Sequence, residues 1–160
     1  MPTEITPLNA PLGACVRGTR LKGNINPNDF QTIQQALLDR LLLLFPDQDI
    51  TEAEQVGFSG LFGELEIHPS KEHRSSVQQE IYRVSNVNED GQIFSVDSYQ
   101  AKYLTGTRIW HTDSSFRAIP SLGSLLRAAE VPPEGGETYF CNLHTAYETR
   151  PQHLKELVDT

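Results

Sequence analysis

The chain has 160 residues, 38% of them hydrophobic, enough for one domain that buries about two-thirds of its unfolded surface if it closes a core. Thirteen basic against 21 acidic residues leave a net charge of −8, which argues against a nucleic-acid backbone or an anionic membrane as partner. Cys15 and Cys141 make neither a disulfide framework nor a zinc spacing, so free thiols in a reducing cytoplasm are expected.

Residues 1–12 are polar and proline-rich, without a basic start and apolar run. No signal peptide is expected there, and the segment should be flexible. A first strand is expected over 14–17. Asn26 and Pro27 supply an N-cap and the residue favoured at the first helical position. Phe30, Ile33, Leu37 and Leu41 follow at three- and four-residue steps, which predicts a helix over 27–40. Residues 42–45 should continue as a buried strand ended by Pro46, and the apolar run 41–45 is far too short to span a bilayer. Thr51 and Glu54 form a capping box that opens a short helix. Residues 68–79 are polar and turn-rich, and are expected to be mobile. Short strands are expected over 81–84 and 93–96 around an Asn-Glu-Asp-Gly turn. Residues 97–107 read as a loop.

The next segment, Trp110-His111-Thr112-Asp113-Ser114-Ser115-Phe116, carries the chemistry. In a strand, residues i and i+2 share a face, so His111 and Asp113 can grip one metal ion together. An imidazole and a carboxylate leave coordination positions open. A second histidine from elsewhere would complete the 2-His-1-carboxylate face of non-haem Fe(II) oxygenases. Trp110 is expected to point the other way and pack as core. Residues 121–131 read as a long, partly buried strand, 132–136 (Pro-Pro-Glu-Gly-Gly) as a turn, and 137–142 as the returning strand. That makes a hairpin beside the metal-binding strand. Pro151 should start a last helix, with Leu154, Leu157 and Val158 on its inner face. Short strands with turns between them and helices at the edges predict a mostly β fold with flanking helices, a double-sheet jelly roll. The same strand pattern also fits an unrelated sandwich.

The words WHTDSSF and SLLRAAEVPPEGGETYF, followed by the helix start NLHTAYETRP, closely resemble the TauD/TfdA family of Fe(II)- and 2-oxoglutarate-dependent dioxygenases. The dense part of the resemblance covers residues 108–151, with fainter echoes in RLLLLFPDQ and in residues 62–69. It implies a jelly-roll domain of which residues 1–160 are the N-terminal part, a double-stranded β-helix left incomplete. It implies Fe(II) as metal and 2-oxoglutarate as cosubstrate, with oxidative decarboxylation to succinate and CO₂ coupled to hydroxylation of a small organic anion. Residue by residue, His111 and Asp113 resemble the first two iron ligands, and Thr138 the threonine that bonds the far carboxylate of 2-oxoglutarate. His68 falls near a stretch that contacts substrate in the family. Thr107 stands where some members carry asparagine, four residues before the ligand histidine.

The family pattern also asks for a distal histidine and a late arginine. After Asp113 only His144 and His153 occur, both in the closing helical region and read as solvated helix residues, and Arg150 does not match the arginine motif. The 160 residues alone are therefore expected to be inactive. Two other classes remain open. One is a non-catalytic, truncated remnant acting as a binding or self-associating module, because unpaired strand edges invite association and a homo-oligomer is expected. The other is a cupin-like metal enzyme of another reaction type.

Overall fold

The structure, a computed structural model, describes residues 2–88 and 90–159. It divides into two compact units, residues 1–50 with 128–160, and residues 51–127.

The first unit is built on a three-stranded sheet. Strand β1 (Glu4–Pro7) runs antiparallel to β2 (Ala14–Arg17), with Glu4 opposite Arg17 and Pro7 opposite Ala14. Thus Glu4–Pro7, inside the segment expected to be flexible, are held by ladder hydrogen bonds. Strand β3 (Leu43–Leu44) lies parallel to β2, so helix α1 (Pro27–Arg40) forms the crossover that a parallel pair requires. The expected strand at 42–45 is realised only over these two residues.

Helix α1 begins as its sequence dictates. The Asn26 side chain accepts from the Asn28 N–H at 2.9 Å, and Pro27 occupies the first turn. It ends at Leu41, whose φ of 64° is left-handed and whose N–H donates to the Leu37 carbonyl at 2.7 Å. Ile33 and Ala36, three apart on one face, are buried, as are Ala14 and Val16 of β2. Leu21 and Ile50 complete this core. Gln48 staples the loops around it, accepting from the Leu21 N–H at 3.0 Å and donating to the Thr19 carbonyl at 3.2 Å. Gly18 has φ 81°, and a Cβ there would stand 2.1 Å from the Pro2 carbonyl oxygen, so only glycine fits.

Helices α4 (Leu143–Glu148) and α5 (Gln152–Val158) belong to the same unit. Asn142 caps α4 and also donates to the Pro11 carbonyl at 3.0 Å. Pro151 stands at the N-cap of α5, as expected. Leu154, Leu157 and Val158 do not face inward; all three are exposed.

The second unit opens with helix α2 (Glu52–Gly60), where both halves of the capping box form: Glu54 N–H to Thr51 Oγ1 at 3.2 Å, and Thr51 N–H to Glu54 Oε2 at 2.8 Å. Phe58 is buried and meets Phe62 edge-on at 5.5 Å. Gln55, also buried, donates to the Leu125 carbonyl at 3.1 Å. Residues 68–79 carry local structure within their turn-rich sequence. They hold a 3₁₀ turn (Lys71–His73) and two of the best-buried polar side chains, His73 and Ser75. The strands expected at 81–84 and 93–96 reduce to single bridges, Arg74 with Tyr82 and Val87 with Ile93. The turn between them includes Glu89, which lies outside the described residues. Residues 97–107, expected as a loop, contain helix α3 (Tyr99–Gly106), capped by Ser98.

The mostly β fold that was expected is present only in part, as a small sheet with helices around it. Among the described residues the regular strands are short and few, and helices dominate. No strand forms around His111, over 121–131 or over 137–142. The alternating pattern is present there, but ladder bonds join two strands, and a pattern without a paired neighbour stays coil. Leu122, Leu126, Val131 and Tyr139 are accordingly exposed.

Candidate functional site

His111 and Asp113 meet, though by a different route from strand alternation. Residues 113–116 form a turn, and Ser114 adopts φ 55° immediately after Asp113. Residues 111 and 112, just before that turn, are coil, and His111 Nε2 lies 3.2 Å from Asp113 Oδ1. The other ring nitrogen, Nδ1, sits 2.9 Å from the Ile109 carbonyl oxygen. A carbonyl only accepts, so Nδ1 carries the proton and Nε2 faces Asp113. On the aspartate, Ser124 Oγ donates to Oδ2 at 3.1 Å, which leaves Oδ1 for the imidazole side.

This spacing suits a shared cation. Two ligand atoms each about 2.1 Å from a metal, at a right angle, stand about 3.0 Å apart. Both side chains are about half exposed, 47% and 64%, so the pair is open to an incoming ion. Among the described residues no group of three His, Cys, Asp or Glu side chains converges on one point. His144 on α4 and His153 on α5 are exposed helix residues, as the sequence led us to expect.

The other candidates fall out separately. Thr138 belongs to the first unit, in an exposed coil after a turn whose Gly135 and Gly136 have φ near 78° and 77°. Thr107 caps α3, its hydroxyl donating to the Leu104 carbonyl at 2.9 Å. His68 packs its ring on Tyr82, centroids 4.5 Å apart, and its Nδ1 accepts from the Ser70 N–H at 3.1 Å. Trp110, expected as core, is 71% exposed.

Sequence reasoning missed a buried aromatic cluster in the same unit as this pair. His73 lies buried among Tyr103 (4.9 Å between centroids), Tyr82 (5.5 Å) and Tyr99 (6.1 Å), and its Nε2 has no hydrogen-bond partner among the described residues. Burial first, then a hydrogen bond and charge from Tyr103, then Tyr99 and the Asp113 carboxylate, push the Tyr82 phenol far above its ordinary range. The Asp113 carboxylate is the smallest of these influences on Tyr82. The available signal was Tyr99 and Tyr103 at i, i+4, a helical spacing inside a segment read as loop. The second missed feature is Glu66, which reaches Ser114 and Arg117 of the turn.

Comparison with known proteins gives this geometry its context. The (S)-phenoxypropionate/alpha-ketoglutarate-dioxygenase of Sphingobium herbicidovorans is 33% identical over 159 residues, covering 98% of this chain and 51% of that protein. The pentalenolactone F synthase of Streptomyces avermitilis is 34% identical over 148 residues, 91% of this chain and 46% of its own length. The chain thus spans about half the length of the curated relatives it matches. Among solved structures, AAD-2 in complex with Mn(II) and N-oxalylglycine superposes with a TM-score of 0.84 at 31% identity, covering 99% of this chain and 54% of AAD-2. A taurine dioxygenase from Burkholderia xenovorans gives 0.76 at 30% identity, covering 98% of this chain and 51% of that one. The family model described as taurine catabolism dioxygenase TauD, TfdA family matches residues 4–160, and the chain belongs to that family.

Proposed function

We propose that the protein is an Fe(II)- and 2-oxoglutarate-dependent dioxygenase that hydroxylates a small organic acid, with His111 and Asp113 as two of its three metal ligands. The observation that carries this reading is the 3.2 Å approach of His111 Nε2 to Asp113 Oδ1 in a chain of this family. The donor set fits the metal: one imidazole nitrogen with its far side fixed by a carbonyl, and one carboxylate oxygen whose twin is held by Ser124. The second histidine of the face and the arginine for 2-oxoglutarate are assigned to residues outside 1–160. The domain they complete is a jelly roll, to which 121–131 and 137–142 contribute strands once partners pair with them.

Bound iron with its cosubstrate supplies the oxidising chemistry, and the protein supplies position and a water-poor surround. Ser124 selects Oδ1 of Asp113 as the ligand atom. The Ile109 carbonyl keeps Nε2 of His111 free for metal. Thr138 is assigned to the far carboxylate of 2-oxoglutarate. N-oxalylglycine, the partner in AAD-2, has the same oxalyl head and terminal carboxylate, which supports that cosubstrate. His68 is proposed on the substrate side, supported by its stacking on Tyr82. Thr107 in that role rests on its sequence position. Relatives named for phenoxypropionate, 2,4-dichlorophenoxyacetate and sulfate esters support a small anion as substrate.

Titration with Co(II) under argon, followed through the imidazole resonances of His111, tests the pair. Binding that is weak, with two protein ligands, and is lost in both His111→Ala and Asp113→Ala is expected. Binding untouched by His111→Ala would remove it as a ligand. Residues 1–160 alone should release no succinate from 2-oxoglutarate. Turnover abolished by Asp113→Ala would show that these residues suffice.

A further inference from the structure

One carboxylate reaches both ends of the turn that follows Asp113. Ser114 enters the turn in the left-handed region, a conformation disfavoured for any residue bearing a Cβ. The Arg117 N–H donates to the Ser114 carbonyl at 3.0 Å and closes the turn. Ser114 Oγ donates to Glu66 Oε2 at 3.1 Å and accepts from Ser121 Oγ at 2.9 Å. Arg117 Nε stands 3.4 Å from the other oxygen, Glu66 Oε1. Glu66 therefore spans 48 positions of sequence to bracket four consecutive residues. A disfavoured backbone conformation persists only where its surroundings hold it. Released, Ser114 would return to an ordinary well, and the adjoining Asp113 would turn with it.

We infer that Glu66 is a positioning residue for the metal pair: its two oxygens clasp Ser114 and Arg117 and so keep Asp113 Oδ1 beside His111 Nε2. The inference rests on the reading of His111 and Asp113 as ligands. Both members of the ion pair are about a third exposed, 36% each, so the clasp adds little to global stability. Its effect is local, which is what separates positioning from folding.

Glu66→Gln is the informative variant, because the amide carries no charge for Arg117 and one acceptor oxygen in place of two. In a Co(II) titration read at the His111 imidazole, it should need about 10–100-fold more metal. Its urea midpoint should match the unaltered chain. The Arg117 amide should exchange faster with deuterium even without metal. Adding Ser114→Gly should recover part of the affinity, since glycine takes a positive φ unaided. Unchanged Co(II) affinity and unchanged Arg117 exchange in Glu66→Gln would overturn the inference, as would an affinity loss that merely tracks a fall in the urea midpoint. If the unaltered chain shows no His111-dependent Co(II) shift, the metal reading has failed. Arg117 exchange in the metal-free protein then decides the clasp alone: faster exchange upholds it, and no change removes it.

Discussion

Residues 14–50 and residues 109–142 carry equally strong patterns, yet they end differently. In the first stretch β2 and α1 form where expected and bury Ala14, Val16, Ile33 and Ala36, while β3 forms over two of its four expected residues and leaves Leu44 exposed. In the second, alternating residues such as Leu122, Leu126 and Tyr139 stay exposed and no strand forms. The difference lies in where the partners are. A β-α-β crossover finds its ladder and its apolar cover within a few tens of residues. Residues 121–142 have no ladder partner among the described residues, and the pattern alone supplies neither hydrogen bonds nor cover.

Hydrogen exchange would sharpen this contrast most. Amides of β2 and of the middle of α1 should be slower, by orders of magnitude, than those of 121–126 and 137–142. Comparable protection in the two stretches would break the comparison. Truncation gives the next largest effect. Ile33→Ala should lower the unfolding free energy by about 2–5 kcal/mol, against about 0.5 kcal/mol or less for Leu122→Ala, both from urea denaturation. A large loss at Leu122 would mean that the second stretch has cover after all. Thr51→Ala removes one half of the capping box of α2 and should cost about 1 kcal/mol in the same assay.

The smallest effect is alkaline. The Tyr82 phenol has its folded pKa raised above the ordinary value of about 10. The unfolded chain therefore loses this proton first, and the contribution is fully present below about pH 10 and falls as pH rises beyond it. Tyr147, hydrogen-bonded to Asp159 at 2.7 Å, is raised in the same direction. Stability measured from pH 9 to 11 should decline more steeply for the unaltered chain than for Tyr82→Phe. Equal slopes would show that Tyr82 is as free in the folded chain as in the unfolded one.

What could be read in advance follows the same division. Asn26 with Pro27, and Thr51 with Glu54, are local chemistry, and each helix starts where those residues say. Helix α3 escaped because it is only eight residues long and buries none of them; Ser98 as cap and the Tyr99/Tyr103 spacing were its marks. At the candidate site, the identity of the pair was legible from His-x-Asp, but the means was not. Strand alternation was expected, and the pair meets in coil just ahead of a turn instead. Glu66 and the His73 cluster were invisible because their contacts cross tens of residues and leave no local periodicity.

The partner of His111 Nδ1 has a consequence for how this site can vary. That partner is a main-chain oxygen, belonging to residue 109 whatever its side chain. Ile109 is 72% exposed, so drift at that position is cheap. A lineage could exchange its side chain repeatedly without altering which imidazole nitrogen holds the proton. Where a carboxylate fills that role, one codon change can erase it. Here the tautomer is heritable through backbone shape, out of reach of single substitutions at its own contact.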